Sequence, residues 1–143
     1  MTVYRERVLP SYANLALPMV LFPSVFAVML PIDGSLALPV ASICTLAFAA
    51  LLVTSAPLVI LSETEFSAKG ATIEKKFLGK AEVIPRERVF AELGTNLDAR
   101  AWLSIQASIK GLLKVEVTDP DDPTPYWLVS TRNPERLAKL ING

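Results

Sequence analysis

The chain has 143 residues, as many Lys and Arg (14) as Asp and Glu (14), no histidine and a single cysteine. That length leaves room for one ordinary domain, and the balanced charge gives no basic stripe for nucleic acid. The missing histidines remove the commonest general base and metal ligand, and lone Cys44 excludes an intrachain disulfide and a Cys/His metal cluster.

Charge is unevenly spread. The hydrophobic fraction is 52% and the mean hydropathy +0.42, yet between Arg7 and Glu63 the only charged side chain is Asp33. Uncharged stretches run from Val8 to Ile32 and from Gly34 to Ser62. A helix crosses the hydrocarbon core in about 20 residues, so each stretch spans once. The spans are expected at about 9–31 and 37–61, joined at the "PIDGS" turn, with residues 1–62 forming a transmembrane hairpin. The first stretch is too long for a cleaved signal peptide, and a second follows almost at once.

Arg5 and Arg7 precede the first span and Lys69, Lys75, Lys76 and Lys80 follow the second, whereas the intervening turn has no cation. The positive-inside rule therefore places both termini in the cytoplasm of a multi-pass plasma-membrane protein. Glu63, Glu65, Glu74 and Glu82 dilute the four lysines, which read as topology determinants ahead of a lipid-binding patch. Pro18, Pro23 and Pro57 are expected to bend the spans. No ionisable residue lies mid-span, where an ion or proton path needs one. Small residues at Ala41, Ser42, Thr45, Ala49 and Ala50 suit close helix approach.

Residues 63–143 are expected to form a cytoplasmic β-rich domain. Phe66, Ala68, Ile73, Ala81 and Val83 sit at strand-like positions, with Gly70 and Gly79 as turns. A short helix is expected from Pro85 to Leu93, stopped by Gly94. "RAWLSIQAS", "GLLKVEVTD" and "YWLVST" read as three further strands. Asn133, Pro134 and Glu135 open a helix over 134–142, whose apolar face is Leu137, Leu140 and Ile141. The fold class is thus an α+β membrane protein: a two-helix hairpin followed by a small antiparallel β-rich domain. The C-terminal helix closes that domain as in pleckstrin-homology-like architectures.

Three segments in order carry a family resemblance: "YRERVLP" before the first span, "LGTNLDARAWL" in the soluble half, and "VEVTDPDDPTPYWLVSTRNPERLAKLI" at the end. With these the chain resembles the actinobacterial membrane-protein family catalogued as domain of unknown function 3093. The resemblance covers essentially the whole length, and the last segment is its most specific part. Family members often carry a His-Arg-Pro-Trp-like segment where this chain has "SIQASIKG", Ser104 to Gly111. The resemblance implies an integral membrane protein and no established activity.

Candidate chemistry is sparse. "DPDDPTP" lacks the glycine and glutamate that a calcium loop of the EF-hand kind needs at its sixth and twelfth positions, and reads as a rigid turn. Adjacent Tyr126 and Trp127 face opposite sides of a strand, one toward the core and the other toward the surface or the headgroup level. Asp98 and Arg100 read as a structural ion pair, and Ser130 and Thr131 have no histidine to activate them. Asp98, Arg100, Asp121, Asp122, Tyr126, Trp127 and Arg132 form the candidate interaction surface. No catalytic residue, cofactor, metal, nucleic acid or small-molecule substrate is expected. The expected function is that of a non-enzymatic accessory or scaffold protein, with membrane lipids and another membrane protein or complex as partners. The alternative is a lipid-interacting or envelope-homeostasis protein whose domain reads the inner leaflet.

Overall fold

A computed structural model describes residues 2–143 and divides the chain into two compact units. One is Leu9–Ala56. The other joins the N-terminal residues through Val8 to Pro57–Gly143. The division expected at residue 62 is therefore displaced, and the β-domain is discontinuous.

The Leu9–Ala56 unit is helical. A single turn, α1 (Tyr12–Leu15), leads into α2 (Leu17–Met29), and after a short turn α3 runs over Gly34–Thr54. Pro18 occupies the first turn of α2, where its missing N–H costs nothing, and marks the break from α1. Pro23 and Pro39 lie inside α2 and α3. Asp33 caps α3, its Oδ1 accepting from the Ser35 N–H (2.9 Å) and Ser35 Oγ (2.6 Å). These bonds from Ser35 hold the Asp33 carboxyl below its usual range.

Within the helices, Ser24, Ser42 and Thr54 each donate to the carbonyl one turn back, at 2.8 Å. Their hydroxyls are thereby satisfied without water, as an apolar surrounding requires. α2 and α3 pack together, and Ala37 and Ala41, one turn apart on α3, are fully buried. By contrast Met19, Val20, Val28, Leu38, Ile43 and Leu46 are largely exposed. The helical segments Tyr12–Met29 and Gly34–Thr54 are long and apolar enough to cross a membrane. At 1.5 Å per residue, α3 is about 32 Å long, the thickness of a hydrocarbon core.

The second expected span, 37–61, is shorter than anticipated. Helix α3 ends at Thr54, and Leu58–Ser62 is strand β2. Pro57 lies beyond the helix and does not bend it, because the residue before a proline is driven out of the helical region.

The β-domain begins with β1 (Thr2–Arg7), which pairs antiparallel with β2 in a register that sets Arg7 opposite Leu58. Val8 N–H then donates to the Pro57 carbonyl at 2.9 Å. The helical unit is thus an insertion between two adjacent strands. β3 (Glu65–Ala68) and β4 (Ala71–Glu74) complete a sheet of order β1-β2-β3-β4. At the β3–β4 turn Gly70 adopts φ +85°, which glycine takes without strain.

Following a turn of 3₁₀ helix, β5 (Leu78–Ile84), β6 (Trp102–Ser104), β7 (Leu112–Val117) and β8 (Tyr126–Ser130) form a second sheet, β5-β7-β8-β6. Gly79 is not the turn it was expected to be. It lies inside β5, where the register with β7 slips, and a Cβ there would come within 2.9 Å of Glu116 Cβ. β6 pairs with β8 in parallel, a departure from the all-antiparallel domain anticipated.

The main core holds Tyr4, Val8, Val59, Leu61, Phe66, Leu113, Val115, Trp127 and Val129 from the two sheets. α5 (Pro134–Asn142) adds Leu137, Ala138 and Ile141. Each fully buried Leu, Val or Phe side chain contributes about 1.5–3 kcal/mol. The far face of the second sheet is covered too, where Ile84, Leu112, Tyr126 and Leu128 meet Val89 and Leu93 at α4 (Arg86–Glu92). Burial on both faces explains why every residue of β8 is buried and its sequence does not alternate.

Candidate functional site

The candidate surface residues fall into three places. In the α4–β6 loop, Arg100 grips Asp98 with Nε (3.1 Å) and Nη2 (2.9 Å), and its own backbone N–H also reaches Asp98 Oδ1 (2.9 Å). The Arg100 side chain, then its backbone N–H, hold the Asp98 carboxyl down to about 2. This is the structural ion pair expected.

In the β7–β8 turn, Asp119 Oδ1 accepts the Asp121 N–H (3.0 Å) and Asp122 Oδ1 the Thr124 N–H (2.8 Å). Two Asx turns with intervening prolines make the rigid connection that the composition suggested. Asp121 is exposed and Asp122 half-buried at this turn.

Neither Tyr126 nor Trp127 lies on the surface, against expectation, because both faces of β8 are covered. Trp127 is in the main core, 5.6 Å from Phe66 and 6.2 Å from Trp102, centroid to centroid. Tyr126 faces the second cluster, and its hydroxyl accepts the Asp98 N–H (2.8 Å) and donates to the Asn96 carbonyl (3.3 Å). The aromatic pair therefore braces two layers at once.

Arg132 belongs to the third place, the corner between β8 and α5, where the two ends of the chain meet. Glu6 of β1 reaches into it. Its Oε2 accepts from Tyr4 Oη and Thr131 Oγ1, each at 2.5 Å, and its Oε1 accepts the Arg132 N–H at 2.9 Å. Thr131 Oγ1 in turn accepts the Asn133 N–H at 3.1 Å. Burial, reinforced by the neighbouring Glu6, raises the pKa of Tyr4. The arrangement has one element of an activated nucleophile, a hydroxyl on a carboxylate. Thr131 is completely buried, however, and its oxygen is ringed by Tyr4, Glu6 and Asn133, so no substrate carbonyl reaches it. Ser130 is likewise closed off, its Oγ accepting the Gln106 N–H at 3.0 Å.

Several consequential residues escaped the sequence reading. Glu6 and Tyr4 are among them, although inward Tyr4, Glu6 and Val8 alternate with exposed Val3, Arg5 and Arg7 in a strand-like way. Glu92, 3% exposed, lies between Lys114 Nζ (3.1 Å) and Arg88 Nη2 (2.9 Å). The Lys114 hydrogen bond lowers its pKa against the opposing effect of burial. Gly111 approaches the same corner so closely that a Cβ would stand 2.1 Å from the Thr131 carbonyl oxygen. Around that corner open three hollows, of about 340, 310 and 260 Å³, whose walls carry Arg86, Lys110, Arg132 and Arg136.

Fold and corner together define an α+β protein in which two apolar helices interrupt a two-sheet domain and the N-terminal strand is tied by Glu6 to the start of the last helix. The chain belongs to the family described as protein of unknown function (DUF3093), whose profile matches residues 3–141. The matched region includes both Tyr4–Glu6 and Thr131–Asn133, so the two ends of that region meet in space in this chain. No curated protein and no solved structure matches the chain.

Proposed function

We propose that this chain is a non-enzymatic, two-pass membrane protein that anchors its β-domain and recruits another protein or membrane complex to it. The observation that carries this reading is the insertion of two helices with uncovered apolar faces between paired strands β1 and β2. Soluble proteins do not leave such contiguous apolar surface in water. The pairing of β1 with β2 supports a shared side of the membrane for Thr2–Val8 and 57–143, and the flanking Arg5, Arg7, Lys69, Lys75, Lys76 and Lys80 favour the cytoplasm of the cell. The pleckstrin-homology-like comparison draws support from α5 sealing the core between the sheets, as an analogy of architecture alone. Phe90 on α4, 88% exposed, is an anchor of the kind protein interfaces use.

Mild cross-linking in native membranes, followed by native electrophoresis of the full chain, tests the recruitment. A discrete larger species is expected, and a chain that always migrates alone would sink the idea. Membrane topology is read separately. A Thr124→Cys label in a Cys44→Ala background is expected to react only from the cytoplasmic face.

A second reading, that the domain engages anionic lipid of the inner leaflet, has support of its own in the cations gathered at the β8–α5 corner.

A further inference from the structure

We infer that the hollow at the β8–α5 corner binds the phosphate group of an anionic ligand, with the ligand's apolar portion in the adjoining hollow. The site deepens the lipid reading and is independent of the recruitment reading. Three cations converge on one concavity of about 310 Å³: Arg86 at the start of α4, Lys110 just before β7, and Arg132 between β8 and α5. They are distant in sequence, so the fold alone assembles them. Among the described residues, Glu135 is the only carboxylate in that wall. Nearby Glu6 is turned to Tyr4, Thr131 and the Arg132 backbone.

Four basic residues elsewhere in the domain are neutralised by carboxylates. Arg88 is paired with Glu82 and Glu92, Arg100 with Asp98, Lys114 with Glu92 and Lys76 with Glu74. Arg86 and Lys110 have no acidic partner among the described residues, although they line the same wall. Arg86 and Lys110 repel each other in that wall, neither being paired with Glu135, and a polyvalent anion relieves the repulsion while accepting forked hydrogen bonds from arginine.

The same two side chains also line the neighbouring hollow of about 340 Å³, whose remaining walls are Val89, Ala107 and Ile109. Charge on one side and apolar wall on the other fit a phosphate joined to an apolar group. On the opposite flank, a third hollow continues past Arg132 to Arg136. Gly111 forms part of the central wall and provides a backbone reporter inside it.

The test uses the full chain, labelled with [¹⁵N]glycine, in lipid nanodiscs. With six glycines the spectrum is sparse and Gly111 is assignable. Inorganic phosphate is titrated into zwitterionic phosphatidylcholine discs, and in a second arm phosphatidylglycerol replaces part of the phosphatidylcholine. A saturable Gly111 shift in the first arm identifies a free phosphate compound, and a shift only in the second identifies a lipid headgroup. Either supports the site, provided R86Q/K110Q weakens the response about tenfold or more, as expected for two lost charge-assisted bonds. Both substituted side chains are exposed, so folding is retained, and Lys139→Gln on the exposed side of α5 should titrate like the parent. The site is refuted if neither arm moves Gly111, or if K139Q weakens the response as much as R86Q/K110Q does. It is refuted also if R86Q/K110Q binds phosphatidylglycerol discs unchanged, which would leave the lipid reading standing without this site.

Discussion

Replacing Glu6 with alanine asks whether the N-terminal strand is an integral part of the β-domain. The carboxylate accepts three hydrogen bonds, from Tyr4 Oη, Thr131 Oγ1 and the Arg132 N–H. A hydrogen bond to a charged group contributes about 1.5–3 kcal/mol, so simple addition gives roughly 5–9 kcal/mol. Addition overstates the effect, because groups sharing an acceptor are coupled. Tyr4 Oη and Thr131 Oγ1 already lie 3.3 Å apart and recover a bond to each other, and the Arg132 N–H lies near solvent. The expected loss is therefore about 3 kcal/mol, a large share of the 5–15 kcal/mol typical of a domain.

Denaturant unfolding of the full chain in nanodiscs measures it. Both tryptophans, Trp102 and Trp127, lie in the β-domain, so their emission reports that unit and not the helices. Glu6→Ala, Thr131→Val and the double variant form a cycle with an expected coupling of about 1–2 kcal/mol. A loss below about 0.5 kcal/mol for Glu6→Ala, within the range of ordinary surface substitutions, would refute the claim that β1 is fastened to the corner.

Three more outcomes follow from the same geometry. Gly111→Ala drives a Cβ to 2.1 Å from the Thr131 carbonyl, so a destabilisation of about 3 kcal/mol is expected in the same unfolding measurement. Asn142→Ala removes a side-chain amide that both accepts from Ala81 N–H and donates to Ala81 O, each at 2.9 Å, and should cost about 1–2 kcal/mol. The same change uncovers the slipped edge of β5, so light scattering should rise on storage. Tyr4 has a folded-state pKa above its ordinary value of 10.0, so its stabilisation is complete below that pH and is lost as pH climbs through the raised value. Tyr4→Phe should flatten the alkaline limb of stability against pH, which pH-jump tryptophan fluorescence would register.

What could be read from the sequence depended on how local the determining contact was. The charge-free stretches announced both apolar helices, and Asn133–Pro134 announced α5. The Asp98–Arg100 pair was legible because its partners are two residues apart. β1 was not, since Arg5 and Arg7 beside an apolar stretch resemble a topology signal, while the pairing that makes the segment a strand lies far along the chain at 58–62. β2 merged into the preceding apolar run, although Ala56–Pro57 carried the helix-ending signal. The pairing of Glu92 on α4 depends on Lys114 from strand β7, and the parallel pairing of β6 with β8 leaves no local trace. The cations Arg86, Lys110 and Arg132 become a constellation only after the second sheet and α5 have assembled.

The interrupted connectivity constrains how the domain is built. β1 leads the chain, yet it has no partner until 58–62 follow the whole helical insertion. Closing a flexible loop costs (3/2)RT ln n plus a constant, so length alone adds little. The packed pair α2 and α3 lowers that cost further, because two helices joined by a short turn return the chain toward its starting side. On the membrane reading proposed above, a single span at this position would part β1 from β2 and leave β2 without its neighbour. The two-pass topology proposed above is compatible with this strand pairing. Glu6, fastening β1 to the corner before α5, ties together segments more than 120 residues apart, so the packing of β1 and the placement of the β8–α5 corner depend on each other.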